Sequence, residues 1–383
     1  MNLPSKYFQP RIYGLGAWTD NLHFACDLVA TTKPRLLVEL GTDRGESYFA
    51  FCQAAAEQKT GTRCFAIDTW RGDHQTGSYD ETTFGEVAAC NESSYAGFST
   101  LLRSTFDSAR DRFASESIDV LHIDGLHTEA AVRHDFETWL PTVAPGGIVL
   151  LHDVCVRTRD FGVWKLWDEI CGRGRSYTFE NGPGLGVWQK PPEMPLAEPV
   201  ETLLGGTAAL REELAEYYRA RAAEVQAKLA RQWQDGSISQ TALAHQTVIQ
   251  VFYSQDGTHS EENSVNTRVG HEEWKDVTIV FPEGAGAAPL RLDFLSTFTV
   301  VELSRLCLTS ETGTHFLAED ASEFARITVA GDAVRLPHPS LLQVKVTGVD
   351  PQLYFPALQI PLETKRIQLT LRLRVRAQGA LDS

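Results

Sequence analysis

Over the N-terminal part of the chain, short apolar runs bounded by Gly, Pro or polar residues alternate with amphipathic stretches. RLLVEL (residues 35–40) lies between Pro34 and Gly41, and RCFAID (63–68) repeats the pattern. FSTLLRS, SIDVLHID and GGIVLLHD follow, each ending in small or polar residues. Between them, ESYFAFCQAAAEQ and TEAAVRHDFETWL place apolar residues at helical spacing. Strand-sized runs alternating with helices predict an α/β fold, a parallel sheet with crossover helices. NGPGLGVWQ (181–189) predicts a turn and a last strand of antiparallel-edge type.

A Pro-rich break, KPPEMPLAEP (190–199), marks a domain boundary. Residues 207–234 then read as a polar helix of about 40 Å, at 1.5 Å per residue. Leu210, Leu214, Tyr217 or Tyr218, Val225 and Leu229 recur along it at helical spacing, a stripe too irregular for a coiled coil. It is expected as a bridging helix, a candidate homo-oligomer contact. From residue 247 the pattern becomes alternating: TVIQVFYS, WKDVTIVF, LRLDFLS, VVELSRLCL, ARITVAG, LLQVKVTG and RIQLTLRLRV, separated by turns. Short strands without helices predict an antiparallel sandwich. The expected division is 1–190, an α/β domain; 191–240, a Pro-rich linker and bridging helix; and 241–383, a β-sandwich that is a candidate assembly or glycan-binding module.

Composition narrows the function classes. The 383 residues carry a formal charge of −15, which argues against a general nucleic-acid binder. No apolar run reaches the ~18 residues of a membrane span, and the opening MNLPSKYFQPRIYG lacks the apolar core of a secretory signal. The seven cysteines form no C-x-x-C pair, which fits reduced thiols in a cytoplasmic protein.

The first chemical signal is VELGTDRGESYFAF (38–51), a strand, a glycine-containing turn and a helix start. Gly41 and Gly45 let the backbone approach a ligand, and the helix start offers free N–H groups. The spacing G-x-x-x-G lacks the third glycine of a dinucleotide fingerprint, which disfavours an NAD enzyme. Asp68, ending the next strand, can accept both hydroxyl protons of a ribose. These residues resemble the class I S-adenosylmethionine-dependent methyltransferases, which have a Rossmann-like fold. The resemblance implies that Gly41, Thr42, Gly45 and Ser47 line the methionine side with Glu39 in support. It places Asp68 on the ribose and the segment from Ser104 to Asp107 near the adenine.

The second signal is HIDGLHTEAAVRHDFETWLPTVAPGGIVLLHDV (122–154). It puts Asp124 at one strand tip, His127 three residues on, and His152 and Asp153 at the next tip. Neighbouring tips of an open α/β sheet converge on the ligand crevice, and two carboxylates there make a divalent-metal clamp. This stretch resembles the metal-dependent sugar O-methyltransferases of macrolide and aminocoumarin biosynthesis and the related cephalosporin-hydroxylase-like group. IDTWRGDHQTGSY (67–79) is also similar to that group, with Asp68 and Trp70 in the cofactor loop and Asp124 near the cofactor. The pair His152–Asp153 stands where the group has two acids, so Mn²⁺ becomes an option beside Mg²⁺. Because successive strand residues face opposite ways, Asp124 and Asp153 alone could hold the ion.

A sugar hydroxyl is a weak acid whose pKa a bound cation lowers, and a nearby neutral imidazole can then take its proton. His127 is the candidate base. His122, His134 and the pair Trp164 and Trp167 are read as structural. The polar segment 71–97, with Tyr79, Phe84 and Tyr95, is a candidate lid or substrate wall. Stretches of the C-terminal region resemble sandwich modules attached to bacterial enzymes of surface-polysaccharide synthesis, and Phe252, Tyr253, Trp274 and Tyr354 are candidate sugar readers. The expected activity is therefore metal-assisted O-methylation of a sugar hydroxyl on a surface glycan or glycosylated natural product. The rivals are methylation of a phenolic or catechol-like acceptor, and an inactive glycan-binding scaffold.

Overall fold

The computed structural model describes residues 3–73, 75–79, 81–234, 246–253, 259, 263–270, 273–282, 290–295, 299–356, 358 and 364–377. They fall into two compact units, residues 1–71 with 80–229, and residues 72–79 with 230–383.

The first unit is built on seven strands: β1 (Leu36–Leu40), β2 (Arg63–Asp68), β3 (Ser99–Arg103), β4 (Ile118–Ile123), β5 (Val143–His152), β6 (Ser176–Phe179) and β7 (Leu185–Gln189). Their order in the sheet is β3-β2-β1-β4-β5-β7-β6. The first five run parallel, and β7 lies antiparallel between β5 and β6. All five residues of β7 are buried, so it is an interior strand and β6 is the edge. The sequence expectation of an edge strand at 181–189 missed the short run SYTF, which has no alternation to reveal it.

Helices α1 (Leu22–Thr32) and α2 (Glu46–Glu57) pack together, as do α4 (Phe106–Arg110), α5 (Glu129–Trp139) and α6 (Val163–Ile170). The second group seals an apolar core of β1, β4 and β5 residues with Phe113, Val132, Phe136, Trp139 and Leu166. Thr105 and Thr128 cap α4 and α5 by accepting from the third amide on, the usual way of satisfying a helix start. Segment 71–97, the candidate lid or substrate wall, contains the two-strand hairpin Gly72–Asp73 with Gly77–Ser78 and helix α3 (Glu81–Ser94). The weak apolar stripe of α3 explains why the sequence pattern did not show it.

The Pro-rich run, and the helix after it as far as Leu229, cluster with this first unit. In α7 (Val200–Gly205) the residues Val200, Leu203 and Leu204 are buried, and in α8 (Ala208–Gln234) so are Leu214, Ala215, Tyr218, Ala222 and Val225. Tyr218 donates to buried Asp27 of α1 at 2.9 Å and packs on Phe24 and Phe179. The apolar stripe is thus covered within the unit, and only Leu210 of it is exposed.

The second unit is all β: β8 (Gln246–Phe252), β9 (Ser264–Gly270), β10 (Lys275–Val280), β11 (Arg291–Leu295), β12 (Thr299–Ser310), β13 (Gly313–Ala318), β14 (Thr328–Leu336), β15 (Leu342–Tyr354) and β16 (Gln368–Ala377), with one turn of helix, α9 (Ala321–Phe324). Instead of two separate sheets, these strands form one antiparallel sheet in the order β9-β8-β11-β15-β12-β16-β10, with β13 on β12 and β14 on β15. The long strands make this continuity: one end of β15 pairs with β12 and the other with β11. Bulges at Leu303/Arg305 and Gly331/Ala333 bend the sheet around a single apolar core. Phe252 is buried, Tyr253 packs against the core, and Trp274 and Tyr354 are half-buried, so the four candidate sugar readers do not form an exposed platform. Among the described residues no helix is long and apolar enough to cross a membrane.

Candidate active site

Strand order reverses between β1 and β4, and there the two tips are tied together. Asp124 N donates to Leu40 O at 2.8 Å, and Gly41 N donates to Ile67 O at 2.9 Å. Gly41 has φ +85°, and a Cβ there would lie 2.0 Å from the Asp124 carbonyl oxygen. Only glycine permits this approach, which opens the crevice where open α/β sheets bind ligands. Gly45, at φ +83°, starts α2 immediately after the turn.

Asp68 holds this turn. Its Oδ2 accepts from Thr42 N (2.8 Å) and Asp43 N (3.0 Å), and its Oδ1 accepts from Trp70 N (2.7 Å). Burial pushes its pKa up against those three amide bonds. Oδ1 keeps a lone pair beyond its single amide, enough for a ribose hydroxyl. Trp70 was expected at the cofactor. It is instead buried, donating its indole N–H to Asp43 O at 2.8 Å and packing on Phe84, so it braces the loop. Tyr95, stacked on Phe49, braces the same segment. Ser104 adjoins Asp68 through its N–H to the Asp68 carbonyl (2.9 Å). The Thr42 hydroxyl is buried without a partner, a vacancy in polar contacts that a ligand group at the turn would fill.

Glu39 is fully buried on β1, opposite His122 on β4. Its Oε2 lies 2.8 Å from His122 Nδ1, while Trp18 Nε1 donates to His122 Nε2 at 3.2 Å. With Nε2 accepting, the proton sits on Nδ1 and is given to Glu39. Burial raises the Glu39 pKa, and the bonds from His122 and Ser47 oppose it. His122 thus sits in a buried hydrogen-bonded brace that ties Trp18 to the site.

The tips of β4 and β5 bring the second group of residues together. His127 Nε2 lies 2.9 Å from Asp153 Oδ2 and 3.3 Å from Asp124 Oδ1. His152 Nδ1 lies 3.0 Å from Asp153 Oδ2 and 3.3 Å from Asp124 Oδ1. Asp124, His152 and Asp153 each turn one donor atom towards a common point. Asp153 reaches it with φ +62°, a left-handed turn that points its side chain to the same side as His152 and overrides strand alternation. Burial would raise both carboxyls, yet the neighbouring imidazoles hold Asp124 well below its ordinary value and Asp153 at about 2. Conversely, burial would lower the imidazoles, but the carboxylates raise His152 well above 6.5 and His127 to about 10. His127, the candidate base, thus sits with its Nε2 between the carboxylates of Asp124 and Asp153.

Three residues near this site gave no usable sequence signal, because their partners are distant in the chain. Glu46, the first residue of α2, accepts from Gly14 N (2.7 Å), Gly16 N (2.8 Å) and the Thr19 hydroxyl. Burial pushes its pKa up to about 7 against those bonds. It clips the loop carrying Trp18, which packs 5.1 Å from His122 and 6.2 Å from His152. Asp20, raised by burial, accepts from Gln226 of α8 and feels the charge of His152. His134 pairs with Asp107 on the surface (2.8 Å), while Trp167 is buried and Trp164 half-buried.

Residues 38–154 match a family described as a methyltransferase domain. Over 195 residues the chain is 43% identical to the uncharacterized protein y4gI of Sinorhizobium fredii, covering 50% of this chain and 21% of that protein. The chain thus spans about a fifth of that relative's length. Among solved structures, a putative caffeoyl-CoA O-methyltransferase from Staphylococcus aureus aligns at 17% identity and TM-score 0.35, over 44% of this chain and 82% of its own. The O-methyltransferase TomG of Streptomyces achromogenes, involved in tomaymycin synthesis and solved with S-adenosylmethionine, aligns at 15% identity and TM-score 0.35, over 48% and 85%. The match to the methyltransferase-domain family runs from Val38 to Val154, the stretch that holds the glycine turn and both strand tips.

Proposed function

We propose that this protein is an S-adenosylmethionine-dependent O-methyltransferase that uses a divalent metal to activate a sugar hydroxyl. The observation that carries this reading is the convergence of Asp124, His152 and Asp153 beside the glycine turn, within one crevice at the sheet's switch point. The donor set fits a divalent ion: two carboxylates neutralise its charge and an imidazole supplies a third donor. Asp124, His152 and Asp153 would hold the ion, and Gly41, Thr42, Gly45, Ser47, Asp68 and Ser104 would line the S-adenosylmethionine, with Glu39 behind them.

The bound cofactor supplies an electrophilic methyl group, and the bound cation lowers the pKa of the acceptor hydroxyl. The chain's own work is alignment. Asp68 fixes the turn backbone through its three amide bonds, so the methionine side is held before substrate arrives. Glu39, His122 and Trp18 form a buried brace from β1 across β4, keeping the two tips in register. A sugar is favoured over a phenol because an alcohol needs more activation than a phenol, and because the motifs at 67–79 and 122–154 resemble sugar-modifying enzymes. The acceptor is expected to be a glycoside or surface-glycan saccharide.

The test is transfer of labelled methyl from S-adenosylmethionine to a panel of glycosides, oligosaccharides and catechols, with metal or chelator. Metal-dependent labelling of a saccharide supports the proposal. Labelling of catechols alone would replace the sugar with a phenolic acceptor, and no binding of S-adenosylhomocysteine would overturn the enzyme reading.

A further inference from the structure

Residues 8–18 form neither helix nor strand. Their sequence, FQPRIYGLGAW, explains it: Pro10, Gly14 and Gly16 break both patterns, and Gly14 takes φ +73°. A segment outside any ladder must still satisfy its backbone groups. This one does so on a single face of α2. Glu46 accepts from Gly14 N (2.7 Å), Gly16 N (2.8 Å) and the Thr19 hydroxyl. Two turns on, Gln53 accepts from Arg11 N (3.0 Å) and donates to Gln9 O (2.8 Å), while Glu57 takes the Arg11 guanidinium at 3.1 Å. Positions 46, 53 and 57 share one helix face, so α2 lays down a polar track for a strap at residues 9–21.

The strap also meets α8. A Cβ on Gly14 would lie 2.6 Å from the Leu229 side chain, Lys228 sits 4.8 Å from the Tyr13 ring centre, and Gln226 donates to Asp20. Its tip reaches the crevice. Trp18 is buried, donates to His122 Nε2 at 3.2 Å, and packs 5.4 Å from Phe51 and 6.2 Å from His152. His122 in turn meets Glu39, the acid behind the glycine turn. Glu46 itself follows Gly45, the second glycine of that turn. The strap is thus joined to the turn at two points, directly through Glu46 and through Trp18 by way of His122. A carboxylate at a buried helix position is costly unless it is hydrogen-bonded, and what this one bonds is the strap.

We infer that Glu46 is a positioning residue for the cofactor: it latches the strap at residues 9–21 onto α2, and the latched strap completes the wall of the S-adenosylmethionine crevice. This rests on the S-adenosylmethionine reading above and goes beyond it, since the strap belongs to neither the glycine turn nor the strand tips. A binding-competent conformation that is only partly populated weakens apparent affinity by that fraction. Releasing the strap therefore lowers cofactor affinity while the turn keeps its own ligand groups. Gln53 separates this from a direct effect of Glu46 on the turn. It lies about 10 Å along α2 from Glu46, at 1.5 Å per residue, and its side-chain bonds go to the strap and to Glu57.

The test uses the full chain with S-adenosylhomocysteine as probe, calorimetry for affinity and amide hydrogen exchange of residues 9–21 for the strap. In wild type the probe should slow strap exchange about 10-fold or more. Glu46→Ala should speed that exchange and lower affinity about 10-fold or more, with circular dichroism unchanged. Glu46→Gln, which keeps one carbonyl oxygen as acceptor, should fall between the two. Gln53→Ala should also speed strap exchange and lower affinity about 3-fold or more, and it decides the matter even if the Glu46 variants do not fold. Three results would overturn the inference and leave the methyltransferase reading in place: native affinity in folded Glu46→Ala, strap exchange there as slow as in wild type, or native affinity in Gln53→Ala with a loosened strap. A wild-type chain that binds no S-adenosylhomocysteine would overturn both.

Discussion

Tyr218→Phe isolates one hydrogen bond that makes α8 part of the first unit. Tyr218 donates to Asp27 Oδ2 at 2.9 Å, and Ser5 gives that carboxylate its other two bonds, from N and Oγ, each at 2.7 Å. Phenylalanine keeps the ring contacts with Phe24 and Phe179 and removes only the hydroxyl. A hydrogen bond to a charged group contributes about 1.5–3 kcal/mol, and the loss falls at the lower end because Ser5 Oγ still serves Oδ2. A loss of about 1.5–2 kcal/mol, over a urea m value of roughly 2–3 kcal/mol/M, shifts the midpoint down by ~0.5–1 M. Tryptophan fluorescence suits the measurement, since six of the eight tryptophans lie in the first unit. Tyr217→Phe is the control: its hydroxyl reaches only Ser5 Oγ, at 3.0 Å, from a half-buried position, and should cost less. A midpoint shift below ~0.2 M, less than half the smallest shift that m value allows, or a larger effect in Tyr217→Phe, would show that α8 is not docked through Asp27.

Other consequences follow from single observations. Burial raises the Asp135 carboxyl to about 7, with His134 opposing, so the folded state binds its proton more tightly than the unfolded chain. That stability is full below pH ~4 and is lost as pH rises towards 7; Asp135→Asn should therefore gain about 1–3 kcal/mol over wild type at pH 8 and much less at pH 5 in thermal melts. Equal gains at both values would refute the assignment. Gly41→Ala would bring a Cβ to 2.0 Å from the Asp124 carbonyl at φ +85°, and should yield little soluble protein or a loss above about 3 kcal/mol. A variant with native stability would mean the β1 and β4 tips are not locked together. Asp68→Ala removes the acceptor of three partly buried amides, and should lower S-adenosylhomocysteine affinity about 30-fold or more while costing roughly 2–4 kcal/mol of stability. Affinity unchanged by calorimetry would remove Asp68 from the cofactor site.

The strands that build the site were readable because buried parallel strands are short continuous apolar runs with breakers at their ends. Gly41, Asp68, Asp124 and Asp153 all stand at such ends, where chain position alone implies convergence. Other features left no local trace. α1 is buried along nearly its whole length and so lacks the polar face that periodicity needs. The role of α8 depends on Asp27, far away in sequence, and its sparse apolar stripe resembles that of a solvated helix. Trp70 sits in a cofactor-like motif, but its left-handed backbone turns the ring inward onto Phe84. His127 shows the same limit: its spacing from Asp124 suggested a base, and only the fold brings Asp153 Oδ2 within 2.9 Å of its Nε2. In the second unit, alternation identified strands correctly, but whether they form one sheet or two is decided by bulges within β12 and β14 that alternation cannot show.

The central claim is that the crevice beside Gly41 binds S-adenosylmethionine for metal-assisted methyl transfer. Calorimetric titration of the full chain with S-adenosylhomocysteine, in Mn²⁺ and in chelator, tests it most directly, with Asp68→Ala alongside. The account predicts one site per chain, binding lost or strongly weakened in Asp68→Ala, and methyl transfer only when metal is restored. No heat of binding to the wild-type chain under either condition would contradict it.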